Sequence, residues 1–247
     1  MSMQFKDAKA FREWNEAMAA ANDPESFHLR SSPLIRWIEA RRVRTLLTLL
    51  KATSKHRVLE VGVGAGNVLE QVPGGRLLGL DLSSFLLNKA RARLQRLPSH
   101  LLFASAEELP FADTCFERVY CTEVIEHVQH PERLIREMAR VATDDAVLVI
   151  TIPNEAIIDR LKEIVRRLGL SRWIMRGSGT VARYDSPENN DWHLHHFNLP
   201  MLREMAAEHL CVETVKAVPC RLLPIRYVVA FRSRKGQAKR KFHNALR

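Results

Sequence analysis

Three glycines alternate with other residues in the short segment 62–66, directly after a run at 57–61 in which Val and Leu alternate with charged residues or adjoin them. The run is rich in Val and Leu, as a buried parallel strand requires, and residues 68–71 favour a helix. Glycine lets a ligand approach the main chain closely, and the first turn of a helix offers N–H groups without intrahelical partners. The segment therefore predicts an α/β fold in which a nucleotide-like ligand binds at a strand-to-helix crossover.

The spacing of these glycines distinguishes between cofactors. A dinucleotide-binding loop has the pattern G-x-G-x-x-G, whereas the third glycine here comes one residue earlier and is followed by Asn67. Glu60 precedes the loop, and its negative charge would repel a pyrophosphate but would suit a ligand that carries positive charge. The pattern therefore favours a sulfonium cofactor over NAD and disfavours an NAD-dependent dehydrogenase.

Four further segments continue the pattern that the glycine loop begins, at 76–83, 102–111, 118–127 and 146–154. Together with the E-x-G-x-G-x-G loop they resemble the class I S-adenosylmethionine-dependent methyltransferases, over roughly residues 57–155. Five matches in order are far more specific than one glycine loop. The resemblance implies an α/β, Rossmann-like fold, with a seven-stranded, mostly parallel sheet and helices on both faces.

The same resemblance assigns the cofactor contacts. It places the methionine end on Gly62, Gly64 and Gly66, with Glu60 near the ammonium group. Asp81, about 20 residues after the first glycine, would accept hydrogen bonds from both ribose hydroxyls. The structural alternatives are plain tight turns at the glycines and a strand-end cap at Asp81.

The adenine end of the cofactor is implied to lie beyond the second and third strands. Leu82 would cover the adenine face, and Ala106 would offer backbone groups. Members of the family often have Asp where this chain has Ser105, which leaves one contact to the adenine amino group in doubt. Cys121, in the fourth strand, completes the implied cofactor contacts.

The positive charge is concentrated at one end of the chain. The net charge is +10, but seven Lys or Arg and no Asp or Glu lie in 232–247, so the rest carries only +3. We expect this tail to be disordered and solvated, with contact to acidic lipid or RNA as the alternative. The four cysteines form no C-x-x-C pair, and nothing near the N-terminus resembles a signal peptide. These features predict a cytoplasmic location, with peripheral contact at the inner membrane face as the alternative.

The changes of hydrophobic period predict one methyltransferase domain at 1–231, followed by the basic tail at 232–247. Its parts are N-terminal lid helices at 1–50, a cofactor-binding core at 51–155, a substrate-cap insertion at 156–200, and a final helix and strands at 201–231. The lid should contain helices at 4–22 and 34–50. In the second helix, Arg36, Arg41, Arg42 and Arg44 are expected to face outward.

The insertion begins with a basic amphipathic helix. Apolar residues recur at helical spacing from Ile157 to Leu168, with Arg160, Lys162, Arg166 and Arg167 beside them. The pattern is typical of a cap folded onto a substrate pocket. The alternative is peripheral membrane contact through 156–176 together with the basic tail. RNA is a less favoured partner.

The insertion ends in a histidine cluster at 193, 195 and 196. In the expected fold it would meet Glu123, Glu126 and His127, because the carboxyl ends of parallel strands share one edge. Carboxylates and imidazoles together can bind a divalent metal. The combination resembles the small-RNA 3′-terminal 2′-O-methyltransferases, which implies Glu123, Glu126, His127 and His195 as ligands. The same E-x-x-E-H string resembles the quinone-biosynthesis O-methyltransferases, so the metal stays an open and less favoured alternative.

Methyl transfer from a sulfonium needs little acid–base catalysis, because the leaving group is already good. Without a metal, His127 is the candidate catalytic base, or it only orients its loop. We therefore predict an S-adenosylmethionine-dependent methyltransferase that acts on oxygen of a small aromatic, quinone-like or lipid-like acceptor. The alternatives are an RNA 2′-O-methyltransferase with a metal-assisted site and a cofactor-binding regulatory protein without catalysis.

Overall fold

The computed structural model describes residues 5–22, 31–73, 75–167 and 192–236. Its seven strands form one sheet in the order β3-β2-β1-β4-β5-β7-β6, in which only β7 runs antiparallel to its neighbours. The strands are β1 (Arg57–Val61), β2 (Arg76–Asp81), β3 (Ser99–Phe103), β4 (Phe116–Thr122), β5 (Ala142–Pro153), β6 (Leu210–Pro219) and β7 (Pro224–Ser233). The described helices are α1 (Ala8–Ala21), α2 (Pro33–Leu50), α3 (Ser84–Leu94), α4 (Pro131–Val141), α5 (Glu155–Arg167) and α6 (Leu199–Ala206).

Helices cover both faces of this sheet, because successive side chains of a strand point to opposite sides. In β1, Val58 packs in the cluster that contains residues of α2 and α3, whereas Leu59 packs in the cluster that contains residues of α4 and α6. The α/β, Rossmann-like prediction of a seven-stranded, mostly parallel sheet is confirmed.

The register brings the candidate site residues to one edge. Val61 at the end of β1 lies opposite Leu80 in β2 and Cys121 in β4. Each of these strands therefore ends at the same carboxyl edge, which is where ligands bind in open α/β sheets.

Helix α2 belongs to the core of the fold. It begins with Ser32, whose hydroxyl accepts from the backbone N–H of Ile35, and its Leu46 and Leu50 are fully buried. The prediction that Arg42 faces outward is wrong: this side chain is buried and pairs with Glu39 at 2.9 Å. A buried guanidinium is tolerated when a carboxylate compensates its charge.

The helix predicted after the glycine loop is much shorter than expected. Only a three-residue 3₁₀ turn, Leu69–Gln71, forms before the chain turns back into β2. Pro73 follows within two residues, and proline cannot supply the N–H that a longer helix needs. The loop is therefore closed by a tight turn, not by a long helix.

The boundary of the basic tail also shifts. β7 continues to Ser233, and Arg232 pairs with Glu213 on β6 at 2.9 Å, so the sheet takes up the first residues assigned to the tail. Residues 237–247 lie outside the described residues, as do 168–176 of the predicted membrane-contact segment. Among the helices that the structure describes, none combines the length and the apolarity needed to cross a bilayer.

Candidate active site

The glycine loop has the backbone conformation that its sequence predicts. Gly62, Gly64 and Gly66 all have positive φ, at 75°, 53° and 82°. A Cβ on Gly62 would lie 2.2 Å from Cγ2 of Val124, whereas no atom outside the immediate chain neighbours lies within 4 Å of the Cβ position on Gly64. The loop therefore packs against the β4 loop at Gly62 and leaves open space at Gly64, as a ligand that approaches the main chain requires.

Asp81 binds this loop from the end of β2. One carboxylate oxygen accepts from the Gly64 N–H at 2.8 Å, and the other accepts from the Ser83 N–H at 2.9 Å. Burial raises the pKa of Asp81 above its usual value, against the effect of these backbone donors. Each oxygen keeps a second lone pair, so the carboxylate can hold the loop and still accept from ribose hydroxyls.

Glu60 lies beneath the loop and not at its open mouth. Its side chain is buried and accepts a hydrogen bond from the Tyr120 hydroxyl at 2.9 Å. Burial raises the pKa of Glu60 to about 8, although the Tyr120 hydroxyl and Arg42 favour the charged form. The carboxylate is not exposed in this position, so its contact with the cofactor's ammonium group stays a prediction.

The predicted adenine contacts lie beside Asp81. The N–H of Ala104, at the end of β3, donates to the Asp81 carbonyl at 3.1 Å and brings Ser105 and Ala106 to the same edge. The Ser105 hydroxyl accepts from the Glu107 N–H at 3.2 Å, and Leu82 is half-buried. Cys121 differs from this group because its side chain is fully buried in the core, and burial raises its thiol pKa well above the usual value. A side-chain contact between Cys121 and a cofactor is not supported.

The loop after β4 begins with a strained residue. Glu123 has a φ of 52°, in the left-handed region that non-glycine residues rarely adopt. Its carboxylate accepts from the Thr151 hydroxyl at 2.8 Å and pairs with Arg226 at 3.2 Å. Arg226 also bonds Glu39 of α2 at 3.0 Å. These partly buried ionic contacts and the hydroxyl bond hold the Glu123 carboxylate on Thr151 and Arg226.

The end of the insertion lies across the β4 loop. The N–H groups of Leu194 and His195 both donate to the Glu126 carbonyl, at 2.8 and 3.3 Å. His127 Nδ1 lies 2.9 Å from the Trp192 carbonyl, and the two rings are 4.5 Å apart. The two segments therefore form one unit, although more than 60 residues separate them.

Three side chains meet where these segments cross. Ligand-type atoms of Glu126, His127 and His193 all lie within 4.8 Å of one another. Burial, together with repulsion from His193, lowers the pKa of His127 to about 3. Burial, followed by repulsion from Glu123, raises the pKa of Glu126 well above its usual value. His127 is therefore neutral at neutral pH, and burial disfavours the charged form of Glu126 as well.

Two polar atoms in this unit have no hydrogen-bond partner among the described residues. They are Oε2 of Glu126, whose side chain is 1% exposed, and the indole Nε1 of Trp192. A buried polar group without a partner costs about 1–3 kcal/mol. Such atoms indicate a place where a ligand or water completes the site.

Glu155 belongs to the site although the sequence did not indicate it. It is the first residue of α5, and its two carboxylate oxygens accept from His193 Nδ1, at 2.7 Å, and from His196 Nδ1. Burial alone would raise the pKa of Glu155, but hydrogen bonds and charges from the two histidines bring it below the usual value. The available signal was an acidic residue directly after the Pro-Asn that ends β5.

Two of the four predicted metal ligands, Glu123 and His195, lie outside the group that the structure brings together. Glu123 is held by Thr151 and Arg226, and His195 Nε2 lies 3.0 Å from the Val128 carbonyl. Among the described residues, the group that could hold a metal ion is Glu126, His127 and His193. Only Glu126 and His127 of the predicted set lie in it.

The residues of the cleft fit the predicted cofactor. The space at Gly64 admits a main-chain contact, Asp81 keeps lone pairs for the ribose, and Val124 brings the histidine-containing loop against Gly62. A cofactor in this cleft would therefore extend along the carboxyl ends of β1 and β2, beside the group at Glu126.

Comparison with known proteins agrees with this geometry. Residues 59–150 match the family model of a methyltransferase domain. The chain is 28% identical over 156 residues to a ubiquinone biosynthesis O-methyltransferase of Rhodopseudomonas palustris, covering 61% of this chain and 60% of that protein. It is 35% identical over 99 residues to a phosphatidylethanolamine N-methyltransferase of Cereibacter sphaeroides, covering 38% and 49%. The chain spans about half the length of the curated relatives that it matches.

A solved structure shares the fold. The N-methyltransferase NodS of Bradyrhizobium japonicum, in complex with S-adenosyl-L-homocysteine, superposes with a TM-score of 0.62 at 16% identity, covering 91% of this chain and 98% of that one. Residues 59–150 thus match a methyltransferase domain, and the chain shares its fold with an N-methyltransferase that binds S-adenosyl-L-homocysteine.

Proposed function

We propose that this chain transfers a methyl group from S-adenosylmethionine to a hydroxyl oxygen of a small aromatic, quinone-like or lipid-like acceptor. One observation carries the proposal: the glycine loop packs at Gly62 against Val124, which lies on the same β4 loop as Glu126 and His127. The similarity to a ubiquinone biosynthesis O-methyltransferase supports oxygen as the methylated atom.

When bound, the cofactor supplies an activated methyl group and a good leaving group. The protein must hold the hydroxyl oxygen in line with the methyl carbon, within about 3.5 Å, and exclude water. His127 suits the first task, since its Nδ1–H can donate to the Trp192 carbonyl and leave Nε2 to accept a hydrogen bond from the hydroxyl. Its pKa of about 3 makes it a weak base, so its proposed role is to position the hydroxyl. Trp192 covers the imidazole ring and helps with the second task.

The two buried atoms without a hydrogen-bond partner in the described part of the chain indicate which polar groups the methyl acceptor should carry. Oε2 of Glu126 and the indole N–H of Trp192 belong to the two segments that cross at His127. A methyl acceptor with a hydroxyl and a neighbouring oxygen could bond both atoms, as an ortho-substituted phenol would. A hydrocarbon without such a pair would leave the two atoms unsatisfied.

Calorimetry tests the cofactor. We expect S-adenosylmethionine to bind and NAD to give no heat of binding at the same concentrations. Asp81→Ala should weaken S-adenosylmethionine binding by about tenfold or more, because it removes a charge-assisted contact worth about 1.5–3 kcal/mol. Binding of NAD in preference to S-adenosylmethionine would refute the proposed activity.

Turnover tests the role of His127. With a catechol or hydroxyquinone acceptor, His127→Ala should lower kcat by about tenfold, because the hydroxyl loses the hydrogen-bond acceptor that positions it, and should leave cofactor binding unchanged. His100→Ala, which removes an exposed imidazole on β3, is the matched control and should be silent. An unchanged rate in His127→Ala would remove His127 from the mechanism. Cofactor binding without turnover on any phenol tested would favour the non-catalytic alternative.

A metal-assisted variant of this reaction rests on Glu126, His127 and His193. The RNA alternative loses support, because two residues of its implied ligand set point elsewhere. Dialysis against a chelator, followed by addition of Mg²⁺, Mn²⁺ or Zn²⁺, distinguishes the two routes. Loss of activity after chelation and its recovery with one of these ions would favour the metal-assisted route.

The proposal also includes a location in the cytoplasm. All four cysteines are free thiols, which agrees with a reducing compartment. Fractionation of cells that express the full chain would test this location.

A further inference from the structure

The outer side of α2 exposes large apolar side chains that the fold does not cover. Leu34 is 60% exposed and Trp37 is 53% exposed, while Leu46 and Leu50 on the inner side are fully buried. Residues 34, 37 and 41 follow each other at helical spacing and so lie on one face. Burial of such side chains is worth about 1.5–3 kcal/mol each, so a partner that covered them would gain stability.

The turn between β6 and β7 extends this exposed face. Leu222 is 96% exposed and Leu223 is 37% exposed. Arg41 joins the two elements, because its Nε donates to the Pro219 carbonyl at 2.8 Å and its guanidinium lies 5.9 Å from the Trp37 ring centroid. We call the surface formed by Leu34, Trp37, Arg41, Leu222 and Leu223 the rim patch.

Positive charge surrounds the rim patch. Arg36, Arg44, Lys216 and Arg221 are all exposed, and no carboxylate in the described ranges forms an ion pair with any of them. The only acidic residue of α2 is Glu39, which is buried and bonded to Arg42 and Arg226. The outer side of this helix is therefore apolar and cationic, which complements an anionic surface.

The rim patch lies at the same edge of the sheet as the active site. Arg226, three residues after Leu223, pairs in register with Pro153 at the end of β5 and bonds Glu123 in the β4 loop. Asn154, directly before α5, donates to the Pro224 carbonyl at 2.9 Å. A surface that covered the rim patch would therefore lie beside the mouth of the cleft.

We propose that the rim patch docks on an anionic lipid surface, with Trp37 and Leu222 inserted at the boundary between headgroups and acyl chains. Aromatic and leucine side chains surrounded by Arg and Lys are the composition that interfacial binding uses. RNA would use the arginines but leave Leu222 in water, and a second copy of this chain would oppose like charges. The inference goes beyond the proposed methyl transfer and does not depend on it.

Vesicle sedimentation with the full chain tests this proposal. Without cofactor or methyl acceptor, we expect binding to phosphatidylcholine vesicles that contain phosphatidylglycerol, and at least about tenfold weaker binding to phosphatidylcholine alone. Added salt should weaken the binding, because it screens the attraction between arginines and headgroups. The double variant Trp37→Ser/Leu222→Ser should bind the anionic vesicles about tenfold less tightly than the wild type.

A matched control separates this patch from general apolarity. Val212→Ser removes a side chain that is 38% exposed on β6, outside the rim patch, and should bind vesicles like the wild type. Thermal unfolding should show that both variants stay folded. The proposal is overturned if the wild type binds neither vesicle, if both vesicles bind equally, or if the double variant keeps its affinity.

Loss of single-stranded RNA binding in the double variant, with vesicle binding retained, would assign the patch to nucleic acid and would also overturn it. Because no methyl transfer is measured, failure of the proposed activity would leave these results unchanged.

Discussion

The proposed active site has two regions that are held together in different ways. The cofactor half is the glycine loop with Asp81, and the acceptor half is the β4 loop with the end of the insertion. In the cofactor half, backbone N–H groups near in the chain bond one carboxylate, as Gly64 and Ser83 bond Asp81. In the acceptor half, side chains distant in the chain bond each other, as Glu155 bonds His193 and His196. The first half depends on backbone conformation, whereas the second depends on where a long insertion returns. Substitutions in the cofactor half should therefore affect stability and cofactor binding, whereas substitutions in the acceptor half should affect turnover.

The largest expected effect is that of Gly62→Ala. The new Cβ would need a positive φ, at about 1–2 kcal/mol, and would clash with Val124, which adds about 1–3 kcal/mol. We expect a loss of about 3 kcal/mol in the free energy of unfolding, measured by urea denaturation. Gly64→Ala is the control, since its Cβ meets open space and only the φ penalty remains. Equal losses in the two variants would contradict the contact between the halves.

Glu155→Ala should act on the acceptor half alone. It removes the carboxylate that holds His193 and His196, and each charge-assisted bond is worth about 1.5–3 kcal/mol. We expect kcat to fall by about 10- to 100-fold while the Kd for S-adenosylmethionine stays the same. Glu208→Ala, an exposed carboxylate near His209, should leave both constants unchanged. Weaker cofactor binding in Glu155→Ala would show that the halves are not separate.

Glu60→Gln tests the pH dependence of the cofactor half. Glu60 binds its proton more tightly in the folded state, with a pKa of about 8 against 4.5 when unfolded. The wild type should therefore lose up to about 1.4 kcal/mol of stability for each pH unit between these values. Glu60→Gln should remove the share due to Glu60, so that stability falls less steeply than in the wild type in denaturation measured from pH 5 to pH 8.

Glu117→Gln provides the control of opposite sign. Burial alone would raise the pKa of Glu117, but hydrogen bonds from Arg57 bring it below its usual value. The contribution of Glu117 to folding stability is therefore lost only as the pH falls. This variant should leave the slope from pH 5 to pH 8 unchanged. A flat wild-type profile would mean that Glu60 is charged in the folded protein, as the ammonium contact predicts.

Ser105→Asp should give the smallest effect. An Asp would still accept from the Glu107 N–H and could also reach the adenine amino group, which restores the family's usual residue. We expect S-adenosylmethionine to bind a few-fold more tightly, by about 1 kcal/mol or less, in calorimetry. Ser105→Ala, which has no acceptor atom, should bind slightly less tightly than the wild type. Weaker binding in the Asp variant would place the adenine elsewhere.

The cofactor half was predictable because its signals are local. The positive φ values of the three glycines follow from residue type, and the position of Asp81 follows from the length of one strand–loop–strand unit. The short 3₁₀ turn was missed because helix-forming residues precede Pro73, and the buried Arg42 was missed because a partner on α2 compensates its charge.

The acceptor half was only partly predictable. The sequence indicated which residue types meet, but not which atoms point inward. His193 and not His195 faces His127, because Glu155 orients one imidazole and the Val128 carbonyl takes the other. Such choices depend on contacts across dozens of residues, which no periodicity in the sequence records.

The bond of Arg226 to both Glu39 and Glu123 limits how this protein can be recombined. A chimera that exchanged residues 1–50 for those of a relative would replace Glu39 of α2, which bonds the Arg226 guanidinium on β7. Arg226 would then keep Glu123 but lose Glu39, and the loss of a charge-assisted hydrogen bond costs about 1.5–3 kcal/mol. Helix α2 and strand β7 should therefore be exchanged together in any chimera of this protein.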